Sequence, residues 1–273
     1  MRLRSILEEP FVAVAWFRFY AELNDFLAPA DRGKQVQRHF DVSGPVKDLI
    51  EGFGVPHTEV DLVLINGESA AFSRVVHDGD RVSVYPIFES LDIASISQVR
   101  PAPLETLQFV LDVHLGRLAA YLRMAGFDAL YGNTASDSGL AAVAHGGRIL
   151  LTRDRYLLMR SDVERGYWIR SAAPKQQLLE VVKRFHMLTY MRPFTRCMKC
   201  NNVLEPAIRD SVMDRLPPGV RHMEAFLRCP GCDAVYWEGT HHARMAQILE
   251  WVKTNAGTAQ NQLDAGVPDG GAC

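Results

Sequence analysis

Two Cys-x-x-Cys pairs constrain this chain more than any other feature. "RCMKCNN" and "RCPGCDA" place Cys197, Cys200, Cys229 and Cys232 as two knuckles with 28 residues between them. Four thiolates at that spacing suit one tetrahedral Zn²⁺, with "NNVLEP" and "EAFLRCP" as the β-arms of a ribbon. A redox dithiol would need one pair beside a βαβ unit, and disulfides are not expected in a cytosolic chain. Four thiolates close the metal shell, so the zinc is structural. The pattern predicts a zinc ribbon over residues 191–253.

Length and charge bound the rest. At 273 residues and 48% hydrophobic content, the chain can bury one large core or two to three smaller ones. Residues 1–100 hold 10 lysines and arginines against 15 acids, residues 101–200 hold 14 against 8, and the remainder 6 against 9. A basic middle between acidic flanks suits either an anionic partner such as a phosphate backbone or pairing against those flanks. No run of 18 apolar residues exists, so no membrane span is expected. The apolar run Phe11–Phe17 follows Glu8 and Glu9 and ends at Arg18, the wrong flanks for a signal peptide. A cytoplasmic protein with reduced thiols is expected.

After an extension over 1–12, residues 13–91 read as one small α+β unit. "VAWFRFY" and "KQVQRHFDV" are β-like, and "GPVKDLIEGFGVP" is a short helix with Val46, Leu49 and Ile50 on one face. Asn66-Gly67 marks a hairpin and Asp78-Gly79 a turn before the last strand. This order resembles the β-grasp, ubiquitin-like sulfur-carrier fold, particularly in "INGE…DGDRVSVYP". Such carriers act through a C-terminal Gly-Gly, whereas Pro86 is followed here by "IFESLDI". A docking module for an unknown protein partner is therefore the expectation. Residues 92–104 read as a linker, and 254–273 as a disordered tail ending in an exposed thiol at Cys273.

Over residues 105–190 strands alternate with helices, which predicts an α/β layer with a parallel sheet. A strand ends at Asp112. The helix after it puts Leu115, Leu118, Leu122 and Ala125 on one face, with Arg117 and Arg123 elsewhere, and stops at Gly126. "FDALY" is the second strand, "SDSGLAAVAHGG" the second helix, "RILLT" the third strand, and "APKQQLLEVVKRFHML" a later helix. Sites on parallel sheets form beyond the carboxyl ends of the strands. Asp112, Asp137 and Asp154 all fall on that edge. Unpaired they would repel, so a hard cation such as Mg²⁺ or Mn²⁺ is the expected occupant. Two such ions could activate a water and stabilise the leaving oxygen of a phosphodiester. Arg117, Arg153 and Arg155 could hold the strand by its phosphates. The plainer reading makes Asp137 a helix cap and Asp154 a helix-start charge. Asp112 is the hardest of the three to read so plainly, because a carboxylate closing a buried strand needs partners.

The motifs "LDVHLGRLAAYLRMAGFDALY", "GRILLTRDR", "RCMKCNNVL" and "CPGCDAVYWEGTHHARM", in this order, resemble the RNase domain family named after the C-terminal domain of the exonuclease Mut-seven. The resemblance implies a PIN-like nuclease domain followed by a zinc ribbon, with a ubiquitin-like domain sometimes in front. PIN domains carry an Asp after the first strand, a middle acid, an Asp opening an Ala-rich helix, and a Thr-x-Asp after a later strand. Asp112 matches the first. Asp137, before "SGLAAVA", matches the third. Thr152-Arg153-Asp154 matches the last, with Thr152 orienting the turn. No acid matches the middle element, so either one metal binds weakly or Asp128, Asp162 or a partner supplies the ligand. The expected function is metal-dependent hydrolysis of RNA. In the ribbon, Trp237 either packs on the knuckle or stacks on bases, and His241 either faces water or contacts a substrate phosphate. The competing expectation is a non-catalytic RNA-binding or docking adaptor.

Overall fold

The computed structural model describes residues 13–264 other than 42, 89, 90, 102, 103 and 105. The expected extension over 1–12, and Cys273, lie outside the described residues. Two compact units divide near residue 103.

The first unit is a five-stranded sheet with one helix. Its elements are β1 (Ala13–Phe19), β2 (Gln35–Phe40), α1 (Val46–Gly52), β3 (Leu62–Ile65), β4 (Glu68–Ser69) and β5 (Arg81–Tyr85). The strand order is β2-β1-β5-β3-β4, with β1 and β5 parallel and the other pairs antiparallel. This is the expected β-grasp topology. Strand β1 alternates as a half-buried strand should: Ala15, Phe17 and Phe19 face inward, where Val46 and Ile50 of α1 are also buried. Asn66 and Gly67 both take positive φ, 53° and 90°, the backbone of a type I′ hairpin turn.

Residues 92–100, inside the span read as a linker, pack against this unit. Ile93 is buried, Ser97 Oγ donates to the Asp61 carbonyl at 2.6 Å, and the Arg100 guanidinium pairs with the Asp61 carboxylate through Nε (2.7 Å) and Nη2. Their polar composition concealed a single apolar anchor.

The second unit opens with β6 (Gln108–Leu111), α2 (Gly116–Met124), β7 (Asp128–Tyr131), α3 (Asp137–His145), β8 (Ile149–Thr152), α4 (Arg155–Leu158), β9 (Gly166–Trp168) and α5 (Pro174–Arg184). The sheet order is β7-β6-β8-β9, and every pair is parallel, as the alternation predicts. Phe109, Leu111, Ile149 and Leu151 point to one face, onto Leu118 and Leu122 of α2 and Leu178 and Val181 of α5. The opposite parity faces α3, which packs on β6 and β8 through Leu140, Ala141 and Ala144. Gly126 does more than stop α2. At φ +98° it brings the chain back, and a Cβ there would overlap the Arg192 carbonyl.

The ribbon follows with β10 (Glu205–Ala207), α6 (Arg209–Val212), β11 (Phe226–Arg228) and β12 (Val235–Tyr236), an antiparallel sheet in the order β10-β11-β12. The last helix, α7, runs Thr240–Asp264, beyond Lys253 where a disordered tail was expected to begin. Leu249, Val252 and Ala256 keep helical spacing and bury against the sheet's core, which outweighs the polar composition around them. Among the described residues, no helix is long and apolar enough to cross a membrane.

Candidate active site and metal centre

The parallel sheet brings β6 and β8 side by side, so the residues that follow them share an edge. Asp112, 5% exposed, caps the turn after β6, and its Oδ1 accepts from the His114 N–H at 2.9 Å. Its Oδ2 accepts from the Thr152 hydroxyl at 2.6 Å and from the Arg153 N–H at 3.4 Å. The same hydroxyl accepts from the Asp154 N–H at 2.9 Å. Thr152, with no exposed surface, therefore joins the two aspartates' loops through one oxygen. Asp154 is exposed and accepts from the Tyr156 N–H at 2.8 Å. Each carboxylate oxygen has two lone pairs, so acceptor capacity remains on Asp112 Oδ1 and on Asp154. Two carboxylates on one edge suit a hard divalent ion.

Asp137 is exposed in the first turn of α3, whose N-cap is Ser136 rather than Asp137. Helix α3 covers the face to which Asp112 and Thr152 point by strand parity. The three acids thus all follow the carboxyl ends of strands, on one edge of the sheet. They do not form a tight cluster, however. Among the described residues, the four cysteines are the group of three or more His, Cys, Asp or Glu whose ligand atoms lie within 4.8 Å of one another. Arg117, in the first turn of α2, and Arg153, between Thr152 and Asp154, are exposed, and Arg155 opens α4. Asp128 cannot supply the middle acid. It begins β7, at the opposite end of the sheet, and is held by Arg148 at 2.7 Å, Asn201 at 2.8 Å and Arg196 at 3.6 Å. Asp162 lies in the connection between α4 and β9.

The cysteines converge as two matching knuckles. The N–H of Asn201 donates to the Cys197 carbonyl at 2.9 Å, and that of Asp233 to the Cys229 carbonyl at 3.0 Å. Cys197 and Cys229 in turn donate to the carbonyls of Asn202 (2.8 Å) and Ala234 (2.9 Å). Asn201 and Asp233, each just after the second cysteine of its pair, are both left-handed, at φ 74° and 64°. All four Sγ atoms lie within 4.8 Å of one another, and the thiols are not in disulfides. Tetrahedral Zn–S bonds of about 2.3 Å place sulfurs about 3.8 Å apart, so the set fits zinc. Burial pushes the Cys200 thiol up, but hydrogen bonds from Asn202 and Cys229 outweigh it and bring it down to about 6. Burial likewise raises Cys197, and the Tyr236 hydroxyl at 3.1 Å helps bring it below the ordinary thiol value.

With both centres defined, a family model described as the Mut7-C RNAse domain matches residues 107–249, more than half the chain. The chain belongs to the Mut7-C RNAse domain family. A second family model, Mut7-C ubiquitin, matches residues 12–92, which covers the β-grasp unit. No curated protein and no solved structure matches the chain.

In this Mut7-C chain the ribbon is fastened to the RNase sheet. Asn201 Oδ1 accepts from the Ala129 N–H of β7 at 3.0 Å while its Nδ2 holds Asp128. Arg123, placed off the apolar face by its spacing, is in fact buried. It donates to the Ala129 carbonyl (2.8 Å) and to the knuckle carbonyls of Met198 (3.1 Å) and Lys199 (2.9 Å). Trp237 is half-buried against Val212, Leu216 and Phe226, and His241 is exposed in the first turn of α7. Strand β9 and the residues around Trp168 escaped the sequence reading. Three residues carry no periodicity, and their place at the site follows only from pairing with β8.

Proposed function

We propose that this Mut7-C chain is a metal-dependent ribonuclease that hydrolyses RNA phosphodiester bonds. The observation that carries the reading is the Thr152 hydroxyl linking the loops of Asp112 and Asp154 at adjacent strand ends, within a domain of an RNAse family. Asp112 and Asp154 are the principal ligands, and Asp137 joins them from α3. A bound Mg²⁺ or Mn²⁺ would supply a nucleophilic water and offset charge on the leaving oxygen. Arg117, Arg153 and Arg155 bind the phosphates of the scissile strand, and the fork of a guanidinium suits that task. The zinc is structural, and Trp237 and His241 add contacts to RNA. The ubiquitin-like unit docks a protein partner.

A second reading, a non-catalytic RNA-binding adaptor, draws support from the absence of a tight three-carboxylate cluster among the described residues. Incubating the zinc-loaded protein with single-stranded RNA and Mn²⁺ or Mg²⁺ separates the two. Cleavage abolished by EDTA and by Asp112→Asn or Asp154→Asn is expected. Binding without products, unchanged in these variants, would leave the adaptor.

A further inference from the structure

Strand β9 adds an aromatic to the same edge. Thr152 pairs in register with Trp168, and Leu111 with Leu151, so Asp112, Thr152 and Trp168 form a row across three parallel strands. In-register residues of parallel strands share a face, and neighbouring strands lie about 4.8 Å apart. Trp168 thus stands one strand away from the hydroxyl that joins the two aspartate loops. Its Nε1 donates to the Arg153 carbonyl at 3.2 Å, tying the indole to the residue between Thr152 and Asp154. Two guanidiniums lie over the ring: Arg155 at 5.7 Å and Arg170 at 5.2 Å from its centroid. The Arg170 Nη1 also donates to the Trp168 carbonyl at 3.0 Å, which keeps it there. Strand β9 is the outer strand of its sheet, and Trp168 is only half-buried.

Tyr167 and Ile169 supply the buried apolar side chains here, whereas Trp168 keeps part of its indole at the surface with guanidiniums close by. Its chemistry matches a single-stranded nucleotide. Bases stack on aromatic rings and on guanidinium planes, and the same guanidiniums attract the phosphate. We infer that Trp168, with Arg155 and Arg170, is a nucleotide-binding subsite that stacks a base of single-stranded RNA beside the Asp112–Thr152–Asp154 centre. The inference rests on the ribonuclease reading and adds a base-recognising residue to it.

The test compares two probes on the full zinc-loaded chain, by fluorescence anisotropy with divalent ions withheld. One is a single-stranded oligoadenylate, the other the same ribose-phosphate backbone without bases. Wild type should favour the base-bearing probe about tenfold, as stacking of one base implies. Trp168→Ala should bind both alike, and Trp168→Phe should restore most of the preference. Thermal unfolding confirms that each variant is folded. Should Trp168→Ala misfold, Trp168→Phe and Trp168→Leu make the same comparison. A wild type without the preference, or a preference unchanged on losing the aromatic ring, overturns the subsite, while cleavage of RNA by wild type once Mn²⁺ is added leaves the ribonuclease reading standing. A wild type that neither binds nor cleaves RNA overturns both.

Discussion

At the scale of single residues, the account turns on one hydroxyl. Thr152→Val keeps the shape but leaves the buried Asp112 Oδ2 without its closest donor and the Asp154 N–H without its acceptor. It should cost about 1–3 kcal/mol in urea unfolding and lower RNA cleavage, whereas Thr152→Ser should retain both functions of the oxygen. Asp128 provides a contrast, an acid of structural importance only. Burial would push its carboxyl up, but hydrogen bonds from Arg148 and Asn201, with the charges of Arg148 and Arg196, outweigh that and hold it below the ordinary value. A depressed folded-state pKa contributes stability that is present above the unfolded value of about 4 and is lost as pH falls through the folded one. Wild type should therefore weaken below about pH 4, and Asp128→Asn should flatten that part of the stability profile. Asp112 was legible in the sequence because a carboxylate closing an apolar strand needs partners. Trp168 was not, because its neighbours exist only once β8 and β9 pair.

At the scale of elements, the turn after α2 and the ribbon carry the clearest consequences. Gly126→Ala combines a left-handed backbone with an overlap on the Arg192 carbonyl. It should destabilise the second unit by about 3 kcal/mol or more, read as a lowered urea midpoint. The sequence marked Gly126 as a helix stop. The returning segment it admits lies some 65 residues on and leaves no local signal. Zinc should support more than its own knuckles, because Asn201 and Arg123 tie the first knuckle to β7. Removing it with a strong chelator should speed amide exchange in β10–β12 and also in β7, while protection in β1–β5 stays unchanged. Exchange confined to the ribbon would show that these ties are dispensable. The cysteine spacing revealed the ligands, whereas the fastening depends on a buried arginine and asparagine whose types are common on surfaces.

At the scale of the whole molecule, the chain couples a ubiquitin-like unit to an RNase sheet with a zinc ribbon, and both family matches follow that division. The architecture was legible because period-2 and period-3.6 patterns, the Asn-Gly turn and the cysteine pairs each act locally. The length of α7 was not, since burial of Val252 and Ala256 against distant helices overrides a polar, glycine-bearing composition. The parallel order β7-β6-β8-β9 gathers the three aspartates to one edge, and the central claim is that this edge holds a divalent ion. The most direct measurement is an anomalous difference map from crystals of the full chain soaked in Mn²⁺. The account predicts a peak bound by Asp112 and Asp154 that disappears in Asp154→Asn. A fully soaked crystal with manganese elsewhere and none at these carboxylates would contradict it.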